Sequence, residues 1–302
     1  MSSFFIGVDG GGTGTRAVLL DVEGRELGRA SGAAAVANAR EPDRAARAVR
    51  DVCSAAARVV GRSLPADVVW AGLSGAGREA ARYAVELELG RLSVGASVRV
   101  DTDVRAAFHD AFSDGPGVLL VAGTGSIAWG RAEDGREGRV GGWGHHIGDE
   151  GSGYAIGREA LRRVTRHADG RAPATDLEER VLDHLRLHRA DDLVGWINEA
   201  ERSEVASLAP LVVDTARSGD GIAQEIVQRA VEELEGHVLT LLENLGPWST
   251  APPVALSGGL IEPGRPLRES VETALERHLI RPLQRPLDPA LGAARLALSL
   301  HT

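Results

Sequence analysis

Near its start the chain reads Phe4-Phe5-Ile6-Gly7-Val8-Asp9-Gly10-Gly11-Gly12-Thr13-Gly14-Thr15-Arg16-Ala17-Val18-Leu19-Leu20-Asp21. Consecutive glycines lose much backbone entropy on folding, so they indicate a place where the backbone must approach another group closely. The second apolar run ends in Glu23-Gly24, which predicts a strand–turn–strand hairpin. A dinucleotide fingerprint or a P-loop would open a helix instead. We therefore expect a hairpin that holds phosphate through its amides.

Composition limits the classes of function. Of 302 residues, 43% are hydrophobic and 25% are charged, as in an ordinary globular protein of one large domain or two. The net charge of −9 argues against a nucleic-acid or anionic membrane partner. No apolar run approaches the roughly 20 residues of a membrane span. The single Cys53 allows no intrachain disulfide, so we expect a cytoplasmic protein.

Lysine is absent, so all 34 basic residues are arginine. This excludes the lysine-dependent phosphate sites of P-loop proteins and protein kinases, and Schiff-base catalysis. Any bound phosphate must be held by backbone amides, hydroxyl groups, arginine or a metal ion.

The pattern of the first hairpin returns in the second part of the chain. A strand at 118–122, the turn Gly123-Thr124-Gly125-Ser126 and a strand at 127–131 follow a hinge-like Asp114-Gly115-Pro116-Gly117. The first part reads βββαβαβα, which indicates an α/β fold. We predict two similar α/β lobes, residues 1–113 and 114–302, with a nucleotide in the cleft between them.

Both hairpins supply candidate phosphate ligands. In the first, backbone amides and threonine hydroxyls would bind phosphate, while Asp9 would position Mg²⁺ through water. These candidates are Gly11, Gly12, Thr13 and Thr15 in the first hairpin and Gly123, Thr124 and Gly125 in the second. Ser257-Gly258-Gly259, after the last predicted strand, is a candidate contact to adenosine.

Two aspartates compete for the role of general base. Asp101 and Asp103 follow the strand at 97–100, where ligands of open α/β sheets bind. Asp103 also suits a helix N-cap, and the pattern alone does not choose between the two residues.

A second glycine-rich segment suits a sugar. Residues 141–153 contain six glycines together with Trp143, two histidines and two acids. An aromatic ring offers a surface for the apolar face of a sugar, and carboxylates accept hydrogen bonds from its hydroxyl groups. Asn38, in an alanine-rich loop, is a further candidate contact to a sugar hydroxyl.

These motifs resemble the N-acetylglucosamine kinase branch of the BadF/BadG-type ATPases, within the actin–hexokinase–Hsp70 superfamily. The resemblance spans nearly the whole chain, and the segment from Gly141 to Ser152 is its most specific part. It implies two actin-like (ribonuclease H-like) lobes with mixed sheets flanked by helices. It also implies a homodimer, and a last helix that packs on the N-terminal lobe.

The resemblance further implies an ATP- and Mg²⁺-dependent kinase acting on the 6-hydroxyl of an amino sugar. By this likeness Asp103, not Asp101, is the base. The sugar site then comprises Asn38, Asp103, Ser126, Gly142, Trp143, Gly144 and Asp149. Glucosamine and N-acetylmuramate stay open as substrates, as does a non-kinase ATPase or ATP-binding module. A dehydratase activator would need two cysteines per chain.

Overall fold

The computed structural model describes residues 3–301. Its internal contacts divide the chain into two compact units. Unit 1 consists of Met1–Gly115 together with Leu287–Thr302, and unit 2 of Pro116–Pro286. The end of the chain thus belongs to the same unit as its beginning. The prediction of a mixed α/β fold with two helix-flanked sheets is confirmed.

The sheet of unit 1 has five strands in the order β3-β2-β1-β4-β5. The strands β1 to β3 form an antiparallel meander, while β4 runs parallel to β1 and β5 parallel to β4. The carboxyl ends of β1, β4 and β5 therefore lie at one edge of the sheet, where Gly10 pairs with Leu73 and Gly72 with Asp101. The strands are Phe5–Gly10 (β1), Thr15–Leu20 (β2), Glu26–Gly32 (β3), Ala66–Leu73 (β4) and Gly95–Asp101 (β5).

Alternating side chains of these strands enter two different cores, as the two-residue period of a strand requires. Ile6 packs with the helices on one face, and Phe5 packs with those on the other. The first face carries α1 (Pro42–Val59) and α2 (Glu79–Arg91). The opposite face carries α3 (Asp103–Phe112) and α11 (Pro289–Ser299), the last helix of the chain.

Small residues let α11 approach the sheet and α3 closely. A Cβ atom on Gly7 of β1 would lie 1.8 Å from the amide nitrogen of Ala294, and one on Gly292 would lie 2.2 Å from the Ala106 carbonyl oxygen. The buried Asp110 carboxylate of α3 accepts the amide of Asp288, the N-cap residue of α11 (3.0 Å). The helix is thus an integral part of unit 1.

The sheet of unit 2 repeats the arrangement with four strands in the order β8-β7-β6-β9. The antiparallel strands are β6 (Gly117–Ala122), β7 (Ser126–Arg131) and β8 (Glu137–Gly141). Strand β9 (Val254–Ser257) runs parallel to β6, as β4 does to β1 in unit 1. The tip of the second hairpin and the end of β9 therefore lie together.

The remainder of unit 2 is mainly helical. Its longest helix, α9 (Gly221–Leu245), packs against β6, β7 and β8 and buries one side in the core of the unit. The other helices are α4 (Gly153–Ala168), α5 (Leu177–Leu185), α6 (Leu193–Glu199), α7 (Arg202–Ala206), α8 (Leu208–Arg217) and α10 (Arg268–Glu276). Within residues 3–301, no helix combines the length and the apolar character needed to cross a bilayer.

Candidate active site

The β1–β2 hairpin presents unused amides at its tip. The Gly11 amide closes the turn by donating to the Gly14 carbonyl oxygen (3.0 Å). Within residues 3–301, the amides of Gly12 and Thr13 donate to no protein acceptor. A Cβ atom on Gly12 would have no heavy atom within 4 Å, and both residues are exposed. The tip therefore suits a phosphate group, which can accept hydrogen bonds from the two amides and from the Thr13 hydroxyl.

Thr15 is buried, whereas Thr13 is exposed at the tip. Thr15 is 2% exposed, and its hydroxyl donates to the Ala33 carbonyl oxygen (2.6 Å). In this arrangement its side chain ties β2 to the segment after β3, so Thr13 is the hydroxyl that the tip presents.

Asp9 lies at the base of the same hairpin. Its side chain is 17% exposed and accepts a hydrogen bond from the Arg16 guanidinium on β2 (3.2 Å). Burial raises the pKa of Asp9 to about 6, the Asp103 charge adds to this increase, and Arg16 opposes it. Within residues 3–301 no group of three or more His, Cys, Asp and Glu side chains is placed to hold a metal ion. A single, mostly buried carboxylate at the base of the hairpin is compatible with the water-mediated contact to Mg²⁺ expected from the sequence.

Asp103 begins α3 at the same edge of the sheet. Thr102 is the N-cap, with its hydroxyl accepting the Arg105 amide (3.3 Å). The Ser74 hydroxyl, at the end of β4, donates to Oδ2 of Asp103, and the Val104 amide donates to Oδ1 (2.9 Å). Burial raises the pKa of Asp103, and these two hydrogen bonds counteract the increase. The carboxylate is thus oriented and partly desolvated, as a general base requires.

Asp101 is bound differently. One of its oxygens accepts the Thr102 amide (2.8 Å), and the other lies 3.9 Å from the Arg105 guanidinium. This carboxylate supports the start of α3 and has a cationic partner. The geometry favours Asp103 for the base.

The loop with Asn38 is connected to this edge through backbone hydrogen bonds. The Ala35 amide donates to the Gly11 carbonyl oxygen (3.1 Å), and the Ala37 amide to that of Ser74 (2.8 Å). Asn38 itself is exposed, and its side-chain oxygen accepts the Arg40 amide (2.9 Å). Its amide nitrogen therefore stays available for a ligand.

The second hairpin lies against the start of α4. The Gly153 and Tyr154 amides donate to the carbonyl oxygens of Gly123 (2.8 Å) and Thr124 (3.3 Å). The buried Ser126 hydroxyl donates to the Glu150 carbonyl oxygen (2.6 Å), so its side chain holds the neighbouring loop in place. As in the first hairpin, the described part of the chain offers no acceptor to the amides of Thr124 and Gly125.

The turn after β9 completes this edge of unit 2. Gly258 has a φ of +103°, and a Cβ atom there would lie 2.4 Å from the Ala122 carbonyl oxygen. A Cβ atom on Gly123 would lie 3.8 Å from the Gly259 nitrogen. The structure thus brings the second hairpin and the predicted adenosine motif, Ser257-Gly258-Gly259, side by side. The Ser257 hydroxyl itself donates to Glu262 (3.4 Å).

The segment from Gly141 to Ser152 is a loop with an unusual backbone. Residues with a positive φ, a conformation that favours glycine, are Gly141, Gly142, Gly144, Asp149 and Gly151. Gly148 needs its small size as well, because a Cβ atom there would lie 2.8 Å from Cβ of Trp143. The glycines therefore shape the loop around Trp143 and Asp149.

Trp143 is presented to solvent, with 65% of its surface exposed. The Arg139 guanidinium lies 4.3 Å from the centre of its ring, and Arg139 also donates to the Gly141 carbonyl oxygen (2.6 Å). The indole is thus supported on one side by a cation–π contact, which leaves aromatic surface for a ligand.

Asp149 has a buried carboxylate, 7% exposed, and a φ of +61° that is strained for a residue other than glycine. A Cβ atom on Gly125 would lie 3.0 Å from its Oδ2, so the carboxylate rests on the second hairpin. Arg202, the first residue of α7, donates to Oδ2 of Asp149 (3.0 Å). This ion pair links the loop, the hairpin and α7.

His145 and Tyr154 lie near that ion pair, with the Arg202 guanidinium 6.0 Å from the centre of the Tyr154 ring. The His145 ring packs against the Tyr154 ring, with centroids 5.1 Å apart, and burial and the Arg202 charge lower the pKa of His145. At neutral pH this favours the uncharged imidazole.

Ser74 and Arg202 are two residues of these sites that sequence reasoning did not identify. Ser74 lies in Gly72-Leu73-Ser74-Gly75-Ala76, which resembles a nucleophile elbow but lacks glycine at the fifth position. Its place at the end of a strand parallel to β1 is a usable signal. Arg202 has no such signal, because it lies 53 residues from its partner.

The chain is similar over most of its length to a known protein family and to named sugar kinases. The model of the BadF/BadG/BcrA/BcrD ATPase family matches residues 6–297. The N-acetyl-D-glucosamine kinase of Dictyostelium discoideum is 31% identical, with 98% of both chains covered. The N-acetylmuramic acid/N-acetylglucosamine kinase of Clostridium acetobutylicum is 30% identical, with 85% of both covered. The glucosamine kinase of Vibrio cholerae is 30% identical, with 79% of this chain and 80% of that protein covered.

Two solved structures resemble the fold of this chain. A Chromobacterium violaceum protein assigned as an N-acetylglucosamine kinase has a TM-score of 0.83 and 31% identity, and covers 98% of this chain and 99% of its own. A glucokinase of Streptomyces griseus, at 19% identity and a TM-score of 0.61, shares the fold. With the family match and relatives of this identity over most of its length, the chain belongs to the BadF/BadG/BcrA/BcrD ATPase family.

Proposed function

We propose that the protein is an ATP-dependent kinase that phosphorylates the 6-hydroxyl of an amino sugar, with N-acetylglucosamine as the first candidate. The observation that carries the proposal is Asp103, a desolvated carboxylate with both oxygens oriented, at the sheet edge that also bears the β1–β2 hairpin. The amino-sugar kinases among the relatives support the substrate class.

Asp103 acts as the general base in this proposal. Its ionised carboxylate accepts the proton of the sugar hydroxyl as that oxygen attacks the γ-phosphorus in line. The electron pair of the breaking P–O bond passes to the β-phosphate oxygen, which leaves with ADP. Since burial raises the pKa of Asp103, its proton affinity is closer to that needed for a base near neutral pH.

The hairpins hold the nucleotide. The amides of Gly12 and Thr13 and the Thr13 hydroxyl are assigned to phosphate in unit 1, with the Gly11 amide and the Thr15 side chain supporting the turn. In unit 2, Gly123, Thr124 and Gly125 are assigned to phosphate and Ser257, Gly258 and Gly259 to adenosine. Asp9 would hold Mg²⁺ through water, and the ion would neutralise charge on the β- and γ-phosphates.

The sugar is assigned to the loops that carry Asn38 and residues 141–152. The exposed Trp143 ring suits an apolar sugar face, and Gly142 and Gly144 give the loop its shape. Asp149 can accept a hydrogen bond from a sugar hydroxyl, while its Oδ2 stays paired with Arg202. Ser126 contributes through its hydrogen bond to the loop.

A coupled assay of ADP release tests the function. It compares N-acetylglucosamine, glucosamine, N-acetylmuramate and glucose, with and without Mg²⁺, and NMR of the product identifies the phosphorylated oxygen. We expect Mg²⁺-dependent ADP release with N-acetylglucosamine and a 6-phosphate product. A higher kcat/KM for glucosamine or N-acetylmuramate would change the substrate but keep the class. ADP release at the same rate without sugar would contradict a kinase.

Asp103→Asn tests the base. The amide keeps the shape of the side chain but cannot take the proton, so kcat should fall by about 10²-fold or more while the sugar still binds. Isothermal titration measures sugar binding, and Asp101→Asn provides the neighbouring comparison with a smaller loss of kcat. Turnover near the wild-type rate in a folded Asp103→Asn protein would exclude the assignment.

The homodimer and the cytoplasmic location expected from the resemblance and the composition stay predictions. Light scattering coupled to size-exclusion chromatography measures the first, and fractionation of the source cells the second.

A further inference from the structure

Ser74 lies where three segments of the proposed site meet. Its amide donates to the Gly10 carbonyl oxygen in the first hairpin (2.8 Å), and its carbonyl oxygen accepts the Ala37 amide beside Asn38 (2.8 Å). The backbone of one residue thus connects the phosphate hairpin to the loop assigned to the sugar.

The side chain of Ser74 reaches the third segment. Its hydroxyl donates to Oδ2 of Asp103, whose other oxygen takes the Val104 amide. A carboxylate with only the Val104 contact would keep the freedom to rotate about its terminal bond. The Ser74 hydrogen bond therefore fixes the direction in which the Asp103 oxygens point.

The surroundings of Ser74 are closely packed. Gly75 has a φ of +85°, and a Cβ atom there would lie 2.5 Å from the Ala37 carbonyl oxygen. Two residues before Ser74, a Cβ atom on Gly72 would lie 3.3 Å from the Asp103 Cα atom. Glycines on both sides thus allow Ser74 to contact the hairpin, the loop and the base together.

We propose that Ser74 is a positioning residue that aligns the Asp103 carboxylate with the phosphate hairpin and the Asn38 loop. The inference rests on the proposed function, in which Asp103 is the base. The Ser74 hydroxyl acts as a hydrogen-bond donor and forms no covalent intermediate. Its contribution is made through Asp103, so it requires that residue to be present.

Removal and restoration of the hydroxyl test this role. Ser74→Ala should lower kcat by about 10- to 100-fold, the range for a lost hydrogen bond to a charged group, with a smaller change in KM for ATP. Ser74→Thr keeps the hydroxyl and should recover most of the rate. Ser97→Ala removes an exposed hydroxyl from β5 of the same sheet and should leave kcat unchanged. Thermal unfolding establishes that each variant is folded.

A double-mutant cycle separates this inference from the proposed function. In the Asp103→Asn background, Ser74→Ala should have no further effect on the residual rate. Wild-type kcat in folded Ser74→Ala, or equal losses in the Ala and Thr variants, would overturn the positioning role. If Asp103→Asn keeps full turnover, the assignment of the base fails, whatever Ser74 does. Additive losses in the double variant would show that Ser74 acts independently of Asp103, which also overturns the inference.

Discussion

Asp9 and Asp103 are two carboxylates at one sheet edge, and neither is fully solvated. Burial raises the pKa of both, and the Asp103 charge raises the pKa of Asp9 further. Arg16 compensates Asp9 only in part. The free protein thus maintains two anions at a cost in stability, a feature typical of sites shaped for ligand chemistry.

Asp9→Asn should raise the stability of the free protein at pH 7 by about 1–3 kcal/mol. The folded-state pKa of about 6 exceeds the ordinary value of 3.8, so the folded state binds the proton more tightly. Stability therefore falls as pH rises between these values, and the variant avoids this loss. The gain should be complete above pH 6 and absent below about pH 4.

Thermal unfolding of wild type and Asp9→Asn at pH 4 and pH 7 measures this effect. The control Asp191→Asn removes an exposed carboxylate and should shift neither curve. The same Asp9→Asn variant should lose Mg²⁺-dependent turnover. A lower stability of Asp9→Asn at pH 7 would contradict the prediction.

At the scale of the element, the tip of the first hairpin differs from the turn after β9. Gly258 has a positive φ, and a Cβ atom there would clash with the Ala122 carbonyl group, so the fold requires glycine. Gly12 has no positive φ, and a Cβ atom there would meet no heavy atom within 4 Å. The glycine at position 12 is thus not explained by the fold. The proposed approach of a phosphate group to the backbone would explain it.

Gly12→Ala should therefore leave the free energy of unfolding unchanged or raise it by up to about 1 kcal/mol. The added methyl group faces the position assigned to phosphate, so KM for ATP should rise about tenfold or more. The matched control is Gly236→Ala on α9, where a Cβ atom also meets no atom within 4 Å. That variant should gain stability without a change in KM. An unchanged KM for ATP in Gly12→Ala would exclude phosphate binding at this tip.

The ion pair between the 141–152 loop and α7 allows a second test at this scale. Arg202→Gln leaves the buried Asp149 carboxylate without its partner, so stability should fall by about 3 kcal/mol and KM for the sugar should rise. Adding Asp149→Asn should restore stability, because no charge is left buried, but not sugar affinity. Thermal unfolding and sugar titrations measure both. Recovery of sugar affinity in the double variant would exclude Asp149 as a sugar ligand.

The elements that sequence predicted best have strong local patterns. Both glycine hairpins follow from two apolar runs on either side of a glycine-rich turn, as do the strands at 118–122 and 127–131. Strand β8 was not predicted, because Glu-Gly-Arg-Val-Gly lacks the apolar alternation of a half-buried strand. The Ser74–Asp103 and Arg202–Asp149 contacts depend on strand order and on helix placement. No local sequence pattern encodes strand order or helix placement. The sequence therefore indicated the glycine-rich loops, but not Ser74 and Arg202, whose side chains bind Asp103 and Asp149.

At the scale of the whole molecule, unit 1 is discontinuous in sequence. Residues 287–301 close a sheet face that is otherwise formed by residues near the start of the chain. The resemblance suggested this placement for the last helix, but the hydrophobic pattern of α11 alone did not identify its partner.

Deletion of residues 287–302 should prevent unit 1 from folding. The loss exposes Phe5, Val18, Leu20 and Trp70, which α11 helps to bury. It also removes two groups that bind the buried Asp110 carboxylate, the Asp288 amide and the Arg295 guanidinium. Circular dichroism and limited proteolysis should show a folded unit 2 and a cleavable segment 3–115. A truncated protein with wild-type proteolytic resistance would contradict this dependence.

The same discontinuity sets an order for folding on the ribosome. Domains usually fold as they emerge, the N-terminal one first. Here the segment that carries both carboxylates emerges first, yet its last helix is translated after all of unit 2. Unit 2 can reach its native structure while unit 1 is still incomplete, because α11 has not yet left the exit tunnel. Unit 1, which carries both carboxylates, is therefore assembled only on chains translated through α11, so an interrupted translation product has no native unit 1.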